Sequence, residues 1–179
     1  MPDHDRQPVP RRRGFTLIES ALATVIIGTG VLAMIAAQQT FHRQNGWAQR
    51  SANAMRLANE IRELMLNLPA HDPVTDVEYW GTEPNETVVE DWDDIDDFDG
   101  AVFSADLGNG PITAMRTTFR DMPGWIQRIL VSNVDPFDVR STLDDGSSDM
   151  VRVEVIVEFQ GPNDLQAGEV TRLTWIQPR

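Results

Sequence analysis

The chain has 179 residues, 15 Lys+Arg against 28 Asp+Glu, no cysteine and 41% hydrophobic residues, which suits one globular domain with a modest core. A formal net charge of -13 argues against DNA or RNA as a partner, because phosphate binding needs a basic surface. Without cysteine there is no disulfide framework, thiolate zinc site or thiol nucleophile, and His4, His42 and His71 show no metal-ligand spacing.

Charge divides the chain into three zones. Residues 1–14 carry +2 net, residues 15–69 carry +1, and residues 70–179 hold the remaining -16. The leader, 1–14, has three prolines and little to bury, so it is expected to be disordered. Its Arg11, Arg12 and Arg13 precede an apolar segment, 15–37, in which Glu19 is the one charge. That length meets the roughly 20 residues needed to cross a bilayer as a helix. The basic residues before it would keep that end cytoplasmic.

Past Ala37 the pattern becomes amphipathic, with Ala54, Leu57, Ile61, Leu64 and Leu68 at alternating three and four residue steps and Arg56, Asn59, Arg62 and Glu63 opposite. Gly28, Gly30 and Gly46 weaken the helix, but no proline interrupts 15–68, and Pro69 supplies the stop. One long helix over 15–68 is therefore expected. Beyond it the period changes to two. Residues 150–159 put Val151, Val153, Val155, Val157 and Phe159 on one face, with Arg152, Glu154, Ile156 and Glu158 on the other, and read as a strand. Residues 124–131 and 170–176 read as further strands, with 113–119 a weaker candidate, and Gly161, Pro162, Asn163, Asp164 and Gly168 mark the connection between the last two. The expected fold is α+β: a long N-terminal helix packed on a small antiparallel sheet.

Gly14-Phe15-Thr16-Leu17-Ile18-Glu19, with arginines before it and an apolar helix behind, resembles the prepilin signal of type IV pilins and type II secretion pseudopilins. Within that family, residues 21–39 look most like minor pilins of the V type and their pseudopilin relatives. The resemblance implies a leader, 1–14, removed by a membrane prepilin peptidase between Gly14 and Phe15, with N-methylation of Phe15. It implies an inner-membrane subunit with a cytoplasmic N-terminus and an extracytoplasmic head, 70–179, which passes through an assembly platform into a pilus or pseudopilus. Its partners would be the peptidase, other pilin or pseudopilin subunits, that platform and, before assembly, membrane lipid. It would be an initiating or capping subunit and not an enzyme. Many pilins staple a C-terminal loop with a disulfide; here packing alone would hold it.

Glu19 has a physical argument of its own, since a carboxylate among Leu17, Ile18, Ala21 and Leu22 is costly in lipid and calls for a partner. In a filament of packed stems, the amine of a neighbour's Phe15 is the available cation. Other readings of the apolar run are a plain signal anchor, a cleaved secretory segment ending near Ala36 and Ala37, and a twin-arginine export signal at Arg12 and Arg13. Glu19 is expected to disfavour all three, because an anchor gains nothing from a carboxylate there. The alternative function is a membrane-anchored extracytoplasmic binding module that forms no filament.

In the head, 90–100 is dense in acid, with Trp92, Ile95 and Phe98 spaced by three. Those three are expected to dock the segment while the carboxylates face solvent. Calcium is the sharper reading, but the EF-hand spacing fails because Ile95 occupies a ligand position, so no metal and no cofactor are assigned. Residues 144–149 form a second acidic turn before the strand 150–159. Ser20, Ser104 and Ser132 lack a nucleophile-elbow context, and no catalytic residue is assigned.

Overall fold

The computed structural model describes residues 14–72 and 80–178. The leader, except Gly14, lies outside them. One α-helix, α1 (Leu17–Met65), is followed by a short 3-10 turn (Asp96–Phe98) and five strands, β1 (Val102–Ser104), β2 (Trp125–Asp135), β3 (Asp138–Thr142), β4 (Met150–Phe159) and β5 (Gly168–Pro178). The architecture is α+β, as expected. The chain divides into two compact units, Met1–Gly46 and Trp47–Arg179, so the division falls within α1 beside one of its glycines.

In the first unit every described residue is exposed. An 18-residue window of α1 has a mean hydropathy of 2.1 with none of it buried, which makes the helix long and apolar enough to cross a membrane. Its hydroxyls are turned inward. Thr24 donates to the Ser20 carbonyl at 2.8 Å, Thr29 to Val25 at 3.0 Å and Thr40 to Ala36 at 3.1 Å, so these polar side chains are satisfied within the helix.

In the second unit α1 turns one face to the core, burying Ala54, Leu57, Ala58, Ile61, Leu64 and Met65. These residues share a cluster with Ile129 and Val131 of β2 and Val151, Val153, Val155 and Val157 of β4. The sheet is antiparallel throughout, in the order β1-β2-β4-β5, with β3 also paired to β2. β4 lies centrally, opposing Val151 to Asn133 and Val155 to Ile129 on one side and Val153 to Trp175 on the other. Its alternation explains why its four valines are fully buried while Arg152 and Glu154 are half-exposed.

Several elements differ from expectation. α1 runs Leu17–Met65 and not 15–68, β1 was not foreseen, and β5 runs Gly168–Pro178 and not 170–176, so that Gly168 belongs to the strand and not to the connection. Segment 113–119 is a tight turn closed by an isolated Ile112–Thr118 bridge, because Arg116 takes a left-handed backbone (φ 62°) and its amide bonds back to Thr113 at 2.9 Å. β2 begins one residue later than expected and continues to Asp135; Gly124 stays outside it with φ 76°, and a Cβ there would lie 2.2 Å from the Gln160 carbonyl. β3 was not foreseen, having no buried residue. It is held by pairing with β2 and by Arg152, whose guanidinium reaches the Val139 carbonyl and the Thr142 hydroxyl.

The core holds one polar bracket. Gln127 is fully buried on β2; its amide donates to the carbonyls of Leu57 (2.9 Å) and Ile112 (3.1 Å), and its oxygen accepts from the Ile112 amide (2.7 Å). It ties helix, sheet and the loop after β1 together at one point. Gln127→Met keeps the volume but leaves those backbone groups short of partners in an apolar core. It is expected to lower unfolding stability by about 1–3 kcal/mol in urea titration, against less than about 0.5 kcal/mol for exposed Arg62→Ala.

Candidate functional site

At the start of the described chain, Gly14, Phe15 and Thr16 are non-helical and exposed, and α1 begins at Leu17. Nothing lies within 4 Å of the point where a Gly14 Cβ would sit, and Phe15 is 84% exposed. Among the described residues nothing covers the Gly14–Phe15 bond. Glu19 lies in the first turn, and its Oε2 accepts from the Thr16 amide (3.0 Å) and hydroxyl (3.1 Å), while its own amide faces the Thr16 hydroxyl at 3.4 Å. Thr16 and Glu19 therefore form a reciprocal capping box, whose Thr-x-x-Glu spacing is visible in the sequence. This corrects one expectation. A plain anchor does gain something from Glu19, a sealed helix start, so the carboxylate's presence alone does not separate filament subunit from anchor.

The second site is in the head, where the acidic segment folds otherwise than expected. Ile95 and Phe98 are fully buried, and Trp92 meets Phe98 edge-on at 4.8 Å, as the spacing implied. The carboxylates do not all face solvent. Asp94, Asp96 and Asp97 are buried at 1%, 1% and 3% exposure, Asp96 and Asp97 within the 3-10 turn and Asp94 just before it. Asp96 sits 2.6 Å from Nδ1 of buried His71, whose ring leans on Trp80 at 5.6 Å. The Pro69 carbonyl accepts from the Ile95 amide at 3.0 Å, anchoring the segment to the chain just past α1.

Asp97 is the hub. Its Oδ2 accepts from the amides of Asp93 (2.9 Å) and Asp94 (3.2 Å), and its own amide donates to Asp94 Oδ1 (3.1 Å). Glu86 Oε2 accepts from the Glu83 amide at 3.0 Å. Carboxylate oxygens of Glu83, Glu86 and Asp97 lie within 4.8 Å of one another, and so do those of Asp93, Asp94 and Asp97. Among the described residues no N–H or hydroxyl donor reaches buried Asp94 Oδ2 or Asp97 Oδ1, while the Asp94 carboxyl adjoins that of Asp96 and the Asp97 carboxyl that of Glu86. Glu83, Glu86 and His71 belong to this arrangement but gave no sequence signal, since they lie outside the 90–100 run.

Crowding raises the affinity of these acids for protons. Burial, then the adjoining Asp96 side chain and the charges of Asp96 and Asp97, push Asp94 up to about 9. Burial is also the main cause of upward shifts at Asp97, Glu86 and Asp93, with the Asp72 and Glu83 charges adding to the last. The loop 144–149 is simpler: buried Asn133 donates to the Ser148 carbonyl (3.1 Å) and accepts from the Ser147 amide (3.0 Å), fixing the turn before β4.

No family model, curated protein or solved structure matches this chain.

A raised pKa in the folded state means that folding takes up protons. The stability contributed by Asp94 is fully present below its ordinary 3.8 and is lost as pH rises through about 9, and the upward shifts of Asp97, Glu86 and Asp93 act in the same sense. In chelator-treated buffer the urea midpoint of the head is expected to fall as pH rises across that window. Asp94→Asn should flatten the fall; an unchanged slope would contradict the assignment.

Proposed function

We propose that this chain is a structural subunit of a type IV pilus or a type II secretion pseudopilus, a minor pilin that initiates or caps the filament. The observation that carries the reading is the Gly14-Phe15-Thr16-Leu17-Ile18-Glu19 motif at the start of a 49-residue helix whose apolar window is wholly exposed, and whose later turns bury one face in a head containing an antiparallel sheet. An apolar surface of that length needs a cover. Lipid would supply it before assembly, and the stems of neighbouring subunits would supply it afterwards.

The steps follow from the residues. A prepilin peptidase cuts after Gly14, where the absence of a Cβ allows close backbone approach, and Phe15 becomes the N-methylated terminus. The new amine lies near the membrane boundary, and in the filament it meets Glu19 of an adjacent subunit. Capping does not consume that carboxylate, since both bonds from Thr16 go to Oε2. The buried pair sets subunit register even where its net stabilisation is small. Residence in the inner membrane before assembly, transfer into the filament at an inner-membrane assembly platform and the extracytoplasmic location of the head belong to the same proposal.

The capping box favours one other reading, a membrane-anchored binding module in which Glu19 only seals the helix. Glu19→Gln separates the two, because Gln retains a capping oxygen and loses the charge. In the filament reading both Glu19→Gln and Glu19→Ala are processed normally but fail to cross-link to the other subunits, with a penalty of about 3–5 kcal/mol, or more than about two decades in an assembly constant. In the anchor reading Glu19→Gln behaves as wild type. Equal cross-linking of Glu19→Gln and wild type would overturn the filament role.

A further inference from the structure

Two large apolar side chains stand bare at one end of the second unit. Trp47, the residue at which that unit begins, is 72% exposed, and Leu165 in the β4–β5 connection is 98% exposed. The connection is held stiffly. The Asp164 amide donates to the Gly161 carbonyl (3.0 Å), the Gly161 amide to Asp164 Oδ2 (2.9 Å), and the Gln160 amide to the Gly124 carbonyl (2.8 Å). Asp164 and Gln166, on either side of Leu165, line one cleft with Trp47 and Arg50, and the Arg50 guanidinium lies 4.9 Å from the centre of the Phe159 ring. Leu165 and Trp47 therefore share the end of the sheet at which the buried half of α1 begins. Phe137, equally bare, marks the other end, since β2 pairs Trp125 with Phe159 and runs on to Asp135, about 33 Å at roughly 3.3 Å per residue.

A single exposed leucine is ordinary in a soluble protein, so position decides what this pair means. Leu17 and Trp47 are 30 residues apart, about 45 Å along the helix at 1.5 Å per residue, while a bilayer with its headgroups is about 40–45 Å thick. A helix that crosses such a layer at the ordinary tilt of about 20° brings Trp47 to the far headgroups. Tryptophan favours that level, because its ring is apolar and its indole N–H stays wet. Charge permits the contact. Residues 20–59 contain no acid, and the cleft sets Arg50 against Asp164 and Glu169, so the surface is close to neutral and has no need of anionic lipid. A second copy is the poorer cover, because two heads that each carry -16 over residues 70–179 repel one another. We infer that Trp47 and Leu165 seat the head on the zwitterionic headgroups of the extracytoplasmic leaflet, as an interfacial anchor that fixes the height and tilt of the stem. The inference rests on the proposed membrane residence of the unassembled subunit, and transfer into the filament breaks this contact.

The absence of cysteine makes single-cysteine labelling free of background. An environment-sensitive fluorophore is attached to Leu165→Cys, to Phe137→Cys and to Val25→Cys within the apolar run, each in the full chain reconstituted at low density in phosphatidylcholine vesicles. The probe at 165 is expected to shift to the blue and to lose fluorescence to lipids spin-labelled at the headgroup, whereas the probe at 137 does neither. The probe at 25 should be quenched by lipids spin-labelled along the acyl chain. Trp47→Ser, at a site exposed enough to fold normally, should return the spectrum at 165 toward that at 137. Quenching at 25 with a water-like spectrum at 165 would overturn the inference and leave the membrane-spanning stem intact. Absence of quenching at 25 would overturn both. A shift at 165 that appears only as protein density rises would assign the patch to a second copy and overturn the inference, as would an unchanged shift in Trp47→Ser, by removing Trp47 from the anchor.

Discussion

The apolar stripe of Ala54, Leu57, Ala58, Ile61 and Leu64 has to be kept from water, and the arrangement of the head follows from that need. β2 and β4 present Ile129, Val131, Val151, Val153, Val155 and Val157 to the same core. Burying each such side chain contributes on the order of 1.5–3 kcal/mol relative to exposure, far more than any surface ion pair on β4 and β5 can add. Gln127 then fixes how the layers meet, because its amide has to find the Leu57 and Ile112 backbone groups to be tolerated inside. Apolar area drives the packing and one polar side chain specifies it.

The same helix is built differently in the first unit. There the apolar residues run all round, the threonines satisfy themselves against the preceding turn, and Thr16 with Glu19 closes the exposed helix start. Such a segment has no stable existence as a bare surface in water. That constraint, more than any one residue, makes the segment long and apolar enough to cross a membrane and underlies the proposed packing against neighbouring stems.

What was legible in the sequence had a local period. The helix and β4 were readable because 3.6-residue and two-residue alternations persist over many positions. Segment 113–119 has strand-like composition, but its turn at Arg116 depends on backbone bonds between Thr113 and Thr117 that no propensity encodes. β3 carries no apolar alternation because neither face is buried. The burial of Asp94, Asp96 and Asp97 was illegible for a stronger reason: it depends on His71, 25 residues from Asp96, and on an anchoring carbonyl at Pro69. An acidic run is ordinarily a solvated face, and only tertiary placement turned this one inward. The Thr16-x-x-Glu19 spacing was present in the sequence, whereas its capping role emerged with the geometry.

The central claim is that this chain is matured between Gly14 and Phe15 into a filament stem, and the intact mass of the protein extracted from its host membrane tests it most directly. The account predicts a chain that starts at Phe15 and carries one added methyl group on its terminal amine. A chain that still retains residues 1–14, or one that starts near Gln38 after ordinary signal cleavage, would contradict it.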